Sequence, residues 1–343
     1  GRGAPASINF VSCHDGFTLT DLTRYRSKHN EANGENNNDG SSVNHSANFG
    51  VEGVTDDPDV IAAREQAAMN MIGMLLLSLG TPMMLAGDEF RNTQDGNNNA
   101  YCQDNDITWL KWDWMYSTNK TREMRRLETV SRLVALRKSL DLYHHEDFFT
   151  RLTQIGLLKP SSRVQWFLPD GTTPMERDWF DLGVRSFTMR LLSNSEVDVC
   201  IVVNGTADDR TFRLPPDTHW TPKWCSAEIN GRRAGHGTQV EECDLNGDTT
   251  VWTQHVPDAS ETVLKMVEEV AMQRTESSTE NEADTIKFAM PVTDHAANGT
   301  SSAPRDEVSA DMPDAPVDDT PDTPVDDNVW TMPALSITLM KQV

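Results

Sequence analysis

Two short apolar runs in this chain end in the same way. Ile8-Asn9-Phe10-Val11-Ser12 leads through Cys13 into His14-Asp15-Gly16, and Pro82-Met83-Met84-Leu85-Ala86 leads into Gly87-Asp88-Glu89. Each reads as a buried strand that delivers acidic groups into a polar loop at its C-terminal end. Between them, Asp57-Pro58 opens a helix with a capping residue and a proline in the first turn. Ile61, Ala68, Met71, Ile72, Leu75, Leu76 and Leu79 give that helix an apolar face, and Gly80 stops it. A second helix, over about 120 to 140, turns Leu127, Val130, Leu133, Val134 and Leu140 inward. Alternating strand and helix is the grammar of an α/β fold with a parallel sheet, which keeps its chemistry where strands end. A closed TIM (β/α)8 barrel takes about 250 residues. Residues 1–142 hold only two strand–helix units, and the chain starts without Met. The expectation is therefore the last two βα units of such a barrel, taken from a longer protein.

The grammar then changes. Residues 143–257 carry short β-prone runs at 164–168, 186–192, 197–203 and 210–214, separated by turns such as Asp170-Gly171 and Asn204-Gly205. They predict an antiparallel β-sandwich, so the fold class is α/β plus all-β. The stretch 258–328 has eighteen acidic and four basic residues, a net of -14 out of the chain's -23. Rich in proline and charge, it buries too little apolar surface to offset its ordering entropy. It is expected to be a largely disordered insertion, with a short helix at 261–272. The chain then recovers at 329–343, where 329–340 reads as one last sandwich strand with one face on the core and one toward solvent.

A net charge of -23 repels nucleic-acid phosphates and anionic membranes, and a neutral, hydroxyl-rich ligand is compatible with it. The apolar stretch 69–79 is shorter than the ~20 residues that span a bilayer, and no apolar signal core opens the sequence. Five cysteines, odd in number and irregularly spaced, read as reduced thiols of a cytoplasmic protein. No Cys-x-x-Cys or His-Glu-x-x-His spacing occurs, so neither a metal nor a cofactor is expected.

Several residues are candidates for chemistry. Asp15 and His14 close the first strand; alone they could be an ordinary turn and a buried histidine. Asp88 and Glu89 read mainly as loop braces. The run 95–105 is unusually rich in amides, which suit hydroxyl recognition because they donate and accept together. It could equally be a loop bonded to itself, and His29, Asn30 and Glu31 raise the same choice. Arg122, Arg125, Arg126, Arg132, Arg137 and Lys138 read as a solvated helix face.

The segment Ile8-Asn9-Phe10-Val11-Ser12-Cys13-His14-Asp15-Gly16-Phe17-Thr18-Leu19 resembles the seventh-strand motif of glycoside hydrolase family 13. Lys28-His29-Asn30-Glu31-Ala32-Asn33-Gly34-Glu35, Gly80-Thr81-Pro82-Met83-Met84-Leu85-Ala86-Gly87-Asp88-Glu89 and Gly96-Asn97-Asn98-Asn99-Ala100-Tyr101-Cys102-Gln103-Asp104-Asn105 resemble its glycogen-debranching, isoamylase-type branch. The likeness is strong over 1–142 and weaker through Gln165-Trp166-Phe167-Leu168-Pro169-Asp170-Gly171 and Asp178-Trp179. It implies retaining hydrolysis of α-1,6 branch linkages in glycogen or limit dextrins. That mechanism needs a nucleophilic Asp and an acid/base Glu about 5 Å apart. The resemblance places both on earlier strands that are not in this sequence. It makes Asp15 the third carboxylate, which stabilises the transition state. His14, His29, Asn30, Asp95, Asn97 and Asn98 become substrate-binding candidates. The chain alone is expected to be inactive. Rival readings are a branching transferase or trehalohydrolase of the same superfamily, and a non-catalytic carbohydrate-binding or scaffold chain.

Overall fold

The computed structural model describes residues 3–144, 164–192, 198–216, 219–236, 239, 241–242, 328–333 and 336–342. The acidic stretch up to residue 327, with the helix expected at 261–272, lies outside them.

Strand β1 (Ile8–Asn9) is followed by a single helical turn, α1 (Leu19–Leu22), and then by the long helix α2 (Pro58–Leu77). Strand β2 (Thr81–Pro82) and helix α3 (Arg122–Ser139) complete this part. β1 and β2 are parallel, with Ile8 beside Thr81 and Asn9 beside Pro82. The Thr81 and Met83 N–H groups donate to the carbonyls of Ser7 and Asn9, each at 2.8 Å. The Asp57 carboxylate accepts from the N–H groups of Asp59 and Val60, which fixes the start of α2. That helix ends at Leu77, earlier than Gly80; Gly80, at φ 116, makes the turn into β2. β1 is not buried: Ile8 is 61% and Phe10 54% exposed, so this two-stranded sheet has an open apolar flank.

The second part is antiparallel. Its strands are β3 (Val164–Phe167), β4 (Ser186–Leu191), β5 (Val199–Asn204), β6 (Arg210–Arg213), β7 (Trp220–Cys225), β8 (Arg232–Arg233), β9 (Gly235–His236) and β10 (Glu241–Glu242). β11 (Val329–Met332) and β12 (Ser336–Gln342) follow the acidic stretch. One sheet runs β3-β4-β5-β12-β7, a smaller one runs β6-β11-β9, and β8 pairs with β10. The single strand expected at 329–340 is therefore two strands in two sheets. Pro333, which has no N–H to give a ladder, lies between them. Nor does β12 show a face to solvent. Ile337 and Leu339 join the core beneath the helices, while Met340 joins the core shared with the smaller sheet. β5 alternates in the same way, with Val199 and Ile201 toward the helices and Cys200 and Val202 toward Phe212, Trp330 and Met332.

The result is three layers: α2 and α3, the five-stranded sheet, and the small sheet. Trp224, fully buried, joins the first two, because its indole N–H donates to the Thr129 carbonyl of α3 at 3.3 Å. Its ring lies so close to Gly73 of α2 that a Cβ there would stand 2.9 Å from Cη2. By length and composition α2 could cross a membrane, contrary to the estimate from 69–79. Here it carries buried Arg64 and Glu65 and packs Ala68, Met69, Ile72 and Leu76 into the core.

The basic face read on α3 is not simply solvated. Arg126 is fully buried against Glu65. Arg132 pairs with Glu228 at 2.9 Å. Arg137 stacks over the Tyr143 ring and donates to the carbonyls of Leu76, Ser78 and Gly80, which α2 and the following turn leave open.

Candidate active site

The chain leaving β1 forms an arch pinned at both feet. Ser12, buried, donates its hydroxyl proton to one oxygen of Asp88, and the Leu19 N–H donates to the other at 2.9 Å. Between them Gly16, at φ 91, donates its N–H to the Asn98 carbonyl at 3.0 Å. His14 and Asp15 stand at the apex, with side chains 87% and 76% exposed and His14 Nε2 3.5 Å from Asp15 Oδ2. Two carboxylates thus play opposite parts. Asp88 is a buried brace whose pKa burial pushes up, against the bonds from Ser12 and Leu19. Asp15 is a solvated carboxylate on open surface. Glu89 caps its own turn, accepting from the Gly87 N–H at 2.9 Å.

The amide-rich loops bind themselves. Asn30, Asn97 and Asn98 are all buried. Asn30 Nδ2 donates to Asn98 Oδ1 at 2.9 Å, and the Asn98 N–H donates back to Asn30 Oδ1 at 3.0 Å. The Asn98 amide also donates to Asn44 Oδ1 at 2.6 Å and the Ser41 carbonyl at 2.8 Å. Asn97 donates to Asn33 Oδ1 at 2.8 Å, while Asn33 and Asn99 both donate to Asp39, at 2.7 and 2.9 Å, lowering its pKa. Gly40 is where the lattice closes: a Cβ there would collide with Asn98 Oδ1 and lie 2.7 Å from Asn30 Nδ2. Of the two readings left open by the sequence, self-bonding describes these amides. Their effect on the apex is indirect, through the Asn98 carbonyl that holds Gly16.

Asp95 is exposed, at φ 54, where the polar loop bends beside Gly96. His29 is half-buried, edge-on to Tyr25 at 5.2 Å and 3.2 Å from Glu52 Oε1. Glu52 is a second loop anchor. Burial opposes its charge, but donors from the Arg26 and Ser27 backbone, Asn48 and His29 outweigh that and set its pKa at about 2.

Beneath the site lies an ion network that the sequence did not announce. Arg126 holds Glu65 through Nε at 3.1 Å and NH2 at 2.8 Å, and reaches the Thr20 hydroxyl at 3.2 Å. Its NH1 lies 3.4 Å from the Asp88 carbonyl oxygen. Arg91 binds the same Glu65 at 2.6 Å, and burial lowers the Arg91 pKa to about 10. Two arginines keep Glu65 ionised below the usual range, although burial opposes it. The Arg126–Glu65 pairing spans 61 positions, which no local pattern reveals.

Among the described residues no group of three or more His, Cys, Asp or Glu could hold a metal ion. The arch can present a carboxylate and an imidazole to a hydroxyl-bearing ligand. It cannot straddle a bond with two carboxylates, because Asp88 faces inward and Glu89 caps a turn.

No family model matches the chain. It is similar to the glycogen operon protein GlgX homolog of Mycobacterium tuberculosis, 45% identical over 190 residues, which cover 54% of this chain and 26% of that protein. The glycogen debranching enzyme of Pectobacterium atrosepticum is 38% identical over 242 residues, covering 70% of this chain and 34% of the relative. The chain thus spans about a quarter to a third of the length of such relatives. Among solved structures, the catalytic module of the multi-modular glycogen-degrading pneumococcal virulence factor SpuA aligns with a TM-score of 0.47 at 11% identity. That alignment covers 100% of this chain and 37% of the module.

Proposed function

We infer from its kinship with the glycogen debranching enzymes of the bacterial glycogen operon that this chain contributes to hydrolysis of α-1,6-glucosidic branches. The substrate of the whole protein is a branched α-glucan, glycogen or a limit dextrin. β1-α2-β2 are two neighbouring strands of a (β/α)8 barrel with the crossover helix between them. The open flank at Ile8 and Phe10, and the parallel pairing, support this reading. The remaining βα units cover that flank and bring the nucleophile and the acid/base.

One observation carries the assignment: Asp15, exposed at the end of β1, sits on an arch pinned by Asp88 and Asn98. A carboxylate so placed binds ring hydroxyls and favours the positively charged, distorted transition state. His14 beside it bonds the same sugar, while Asp95 and His29, on the neighbouring polar loops, are further sugar contacts. Buried Asn30, Asn97 and Asn98 act as positioning residues. Among the described residues Cys13, Cys102 and Cys225 are free thiols, which supports a reducing, cytoplasmic setting.

In the complete enzyme, Asp15→Asn should lower kcat on a branched dextrin by ~10² or more while KM changes little. A mutant within a few-fold of wild type would overturn the assignment.

A further inference from the structure

The edge of the five-stranded sheet at β3 carries a feature that the arch does not use. Val164, Gln165, Trp166, Phe167, Thr173, Pro174 and Trp179 line a cleft of about 420 Å³, a volume in the range of small-ligand sites. Its walls are aromatic. Trp179 meets Trp166 edge-on, centroids 5.3 Å apart and planes at 89°, and Trp166 leans on Phe187 at 5.5 Å. Trp179 is nevertheless 54% exposed. An indole so exposed normally costs solubility, and exposed apolar patches on soluble domains mark contact sites.

The cleft is preformed. The Asp170-Gly171 turn is closed by the Leu168 N–H donating to the Thr172 carbonyl at 2.8 Å, and Gly171 sits at φ 84. The 3-10 turn Glu176–Trp179 is fixed by Asp178, which accepts from the Met175 N–H at 2.7 Å. Trp179 is thereby held in place before any ligand arrives, so binding need not repay much side-chain entropy.

The polar groups select the ligand. Neither the Gln165 amide nor the Thr173 hydroxyl, both lining the cleft, is committed to a hydrogen bond among the described residues. Glu176, Asp178 and Asp181 outnumber Arg177 in the segment that carries Trp179, which disfavours an anion. Indole faces are negative and accept weakly positive C–H groups, while a free amide and a hydroxyl bond to hydroxyls. A neutral pyranose offers both at once: a C–H face and a hydroxyl rim. A purely apolar peptide would leave the amide and hydroxyl unpaired.

We propose that this cleft is a second α-glucan-binding surface, which holds an outer chain of the polymer away from the Asp15 arch. It rests on the α-glucan reading only for the identity of the sugar. The test is native electrophoresis of the full chain through gels containing glycogen, with glycogen-free gels as reference. The chain should be retarded, Trp179→Ala should weaken the apparent affinity about fivefold to tenfold, and Trp179→Phe should recover part of it. Gln165→Ala, which removes no ring, should weaken it a few-fold. Unretarded migration, or equal retardation of Trp179→Ala and wild type, overturns the proposal. So does a Trp179→Ala protein whose only change is loss of self-association in sedimentation. Failure of the debranching reading would show separately, in the kcat of Asp15→Asn in the complete enzyme.

Discussion

Gly73→Ala in α2 sets two effects of known size against each other. Alanine in a helix interior is favoured over glycine by about 1 kcal/mol, so an isolated α2 would gain. In the protein the new methyl would stand 2.9 Å from Trp224 Cη2, 3.1 Å from Cζ3 and 3.8 Å from Ile337 Cδ1. Trp224 has no room to retreat, being fully buried in the core and hydrogen-bonded to Thr129. Overpacking of a dense core costs about 1–3 kcal/mol, and a rigid ring places this site in the upper half of that range. The net expectation is a loss of about 1–2 kcal/mol. Trp224→Phe removes the two crowded ring atoms and alone costs about 2 kcal/mol in lost packing. In the Phe background the added methyl fits, so Gly73→Ala should there be neutral or stabilising. Urea unfolding of the four proteins measures the coupling through their midpoints. A Gly73→Ala protein more stable than wild type, or two mutations whose costs simply add, would refute the claim that this contact fixes the helix–sheet spacing.

Two further outcomes follow from hydrogen-bonded charge. Glu52 has a pKa of about 2 in the folded protein against 4.5 unperturbed. A depressed carboxylate contributes stability above its unfolded pKa and loses it as pH falls through the folded one. The gap in urea midpoint between wild type and Glu52→Gln should therefore be full above about pH 5 and shrink as pH falls toward 2; a gap independent of pH would contradict the anchor. Arg126→Met removes the donor to Glu65 and the contact to the Asp88 carbonyl. Breaking a buried pair costs about 3–5 kcal/mol, and the remaining Arg91 bridge should hold the loss near about 3. The arch should also loosen, so proteolysis near residues 13–17 should rise before global unfolding; unchanged cleavage kinetics would separate the network from the arch.

What the sequence disclosed was local. Asp57-Pro58 and Thr121 cap α2 and α3 within their own first turns, so both helices were legible to within a few residues. Arg126 was misread because its partner Glu65 sits on another helix; from the sequence alone a charged α3 position faces water. β7 was missed because Pro222 and Lys223 interrupt its pattern. It tolerates the proline as an edge strand, beside a bulge at Leu339/Met340 of β12. Val329–Met332 and Ser336–Gln342 both read as strand, but choosing between two sheets depends on residues more than a hundred positions away. For Asn30, Asn97 and Asn98 composition gave the chemistry, not its direction: an amide that recognises hydroxyls and one that ties a loop are the same amide.

The position of β12 has a consequence for how such a chain is made. β12 lies between β5 and β7, and β11 lies between β6 and β9. Both sheets therefore wait for strands synthesised after the acidic stretch. In that interval β5 and β7 present unpaired edges, and the apolar faces of α2 and α3 lack the cover of Ile337 and Leu339, the conditions under which nascent chains aggregate. Pairing so distant in sequence is also slow to form. The 258–328 stretch emerges during that wait with a net charge of -14, on the same chain as the exposed edges. Its electrostatic repulsion acts between neighbouring chains. A segment too polar to build a core of its own can thus protect the assembly of the one around it.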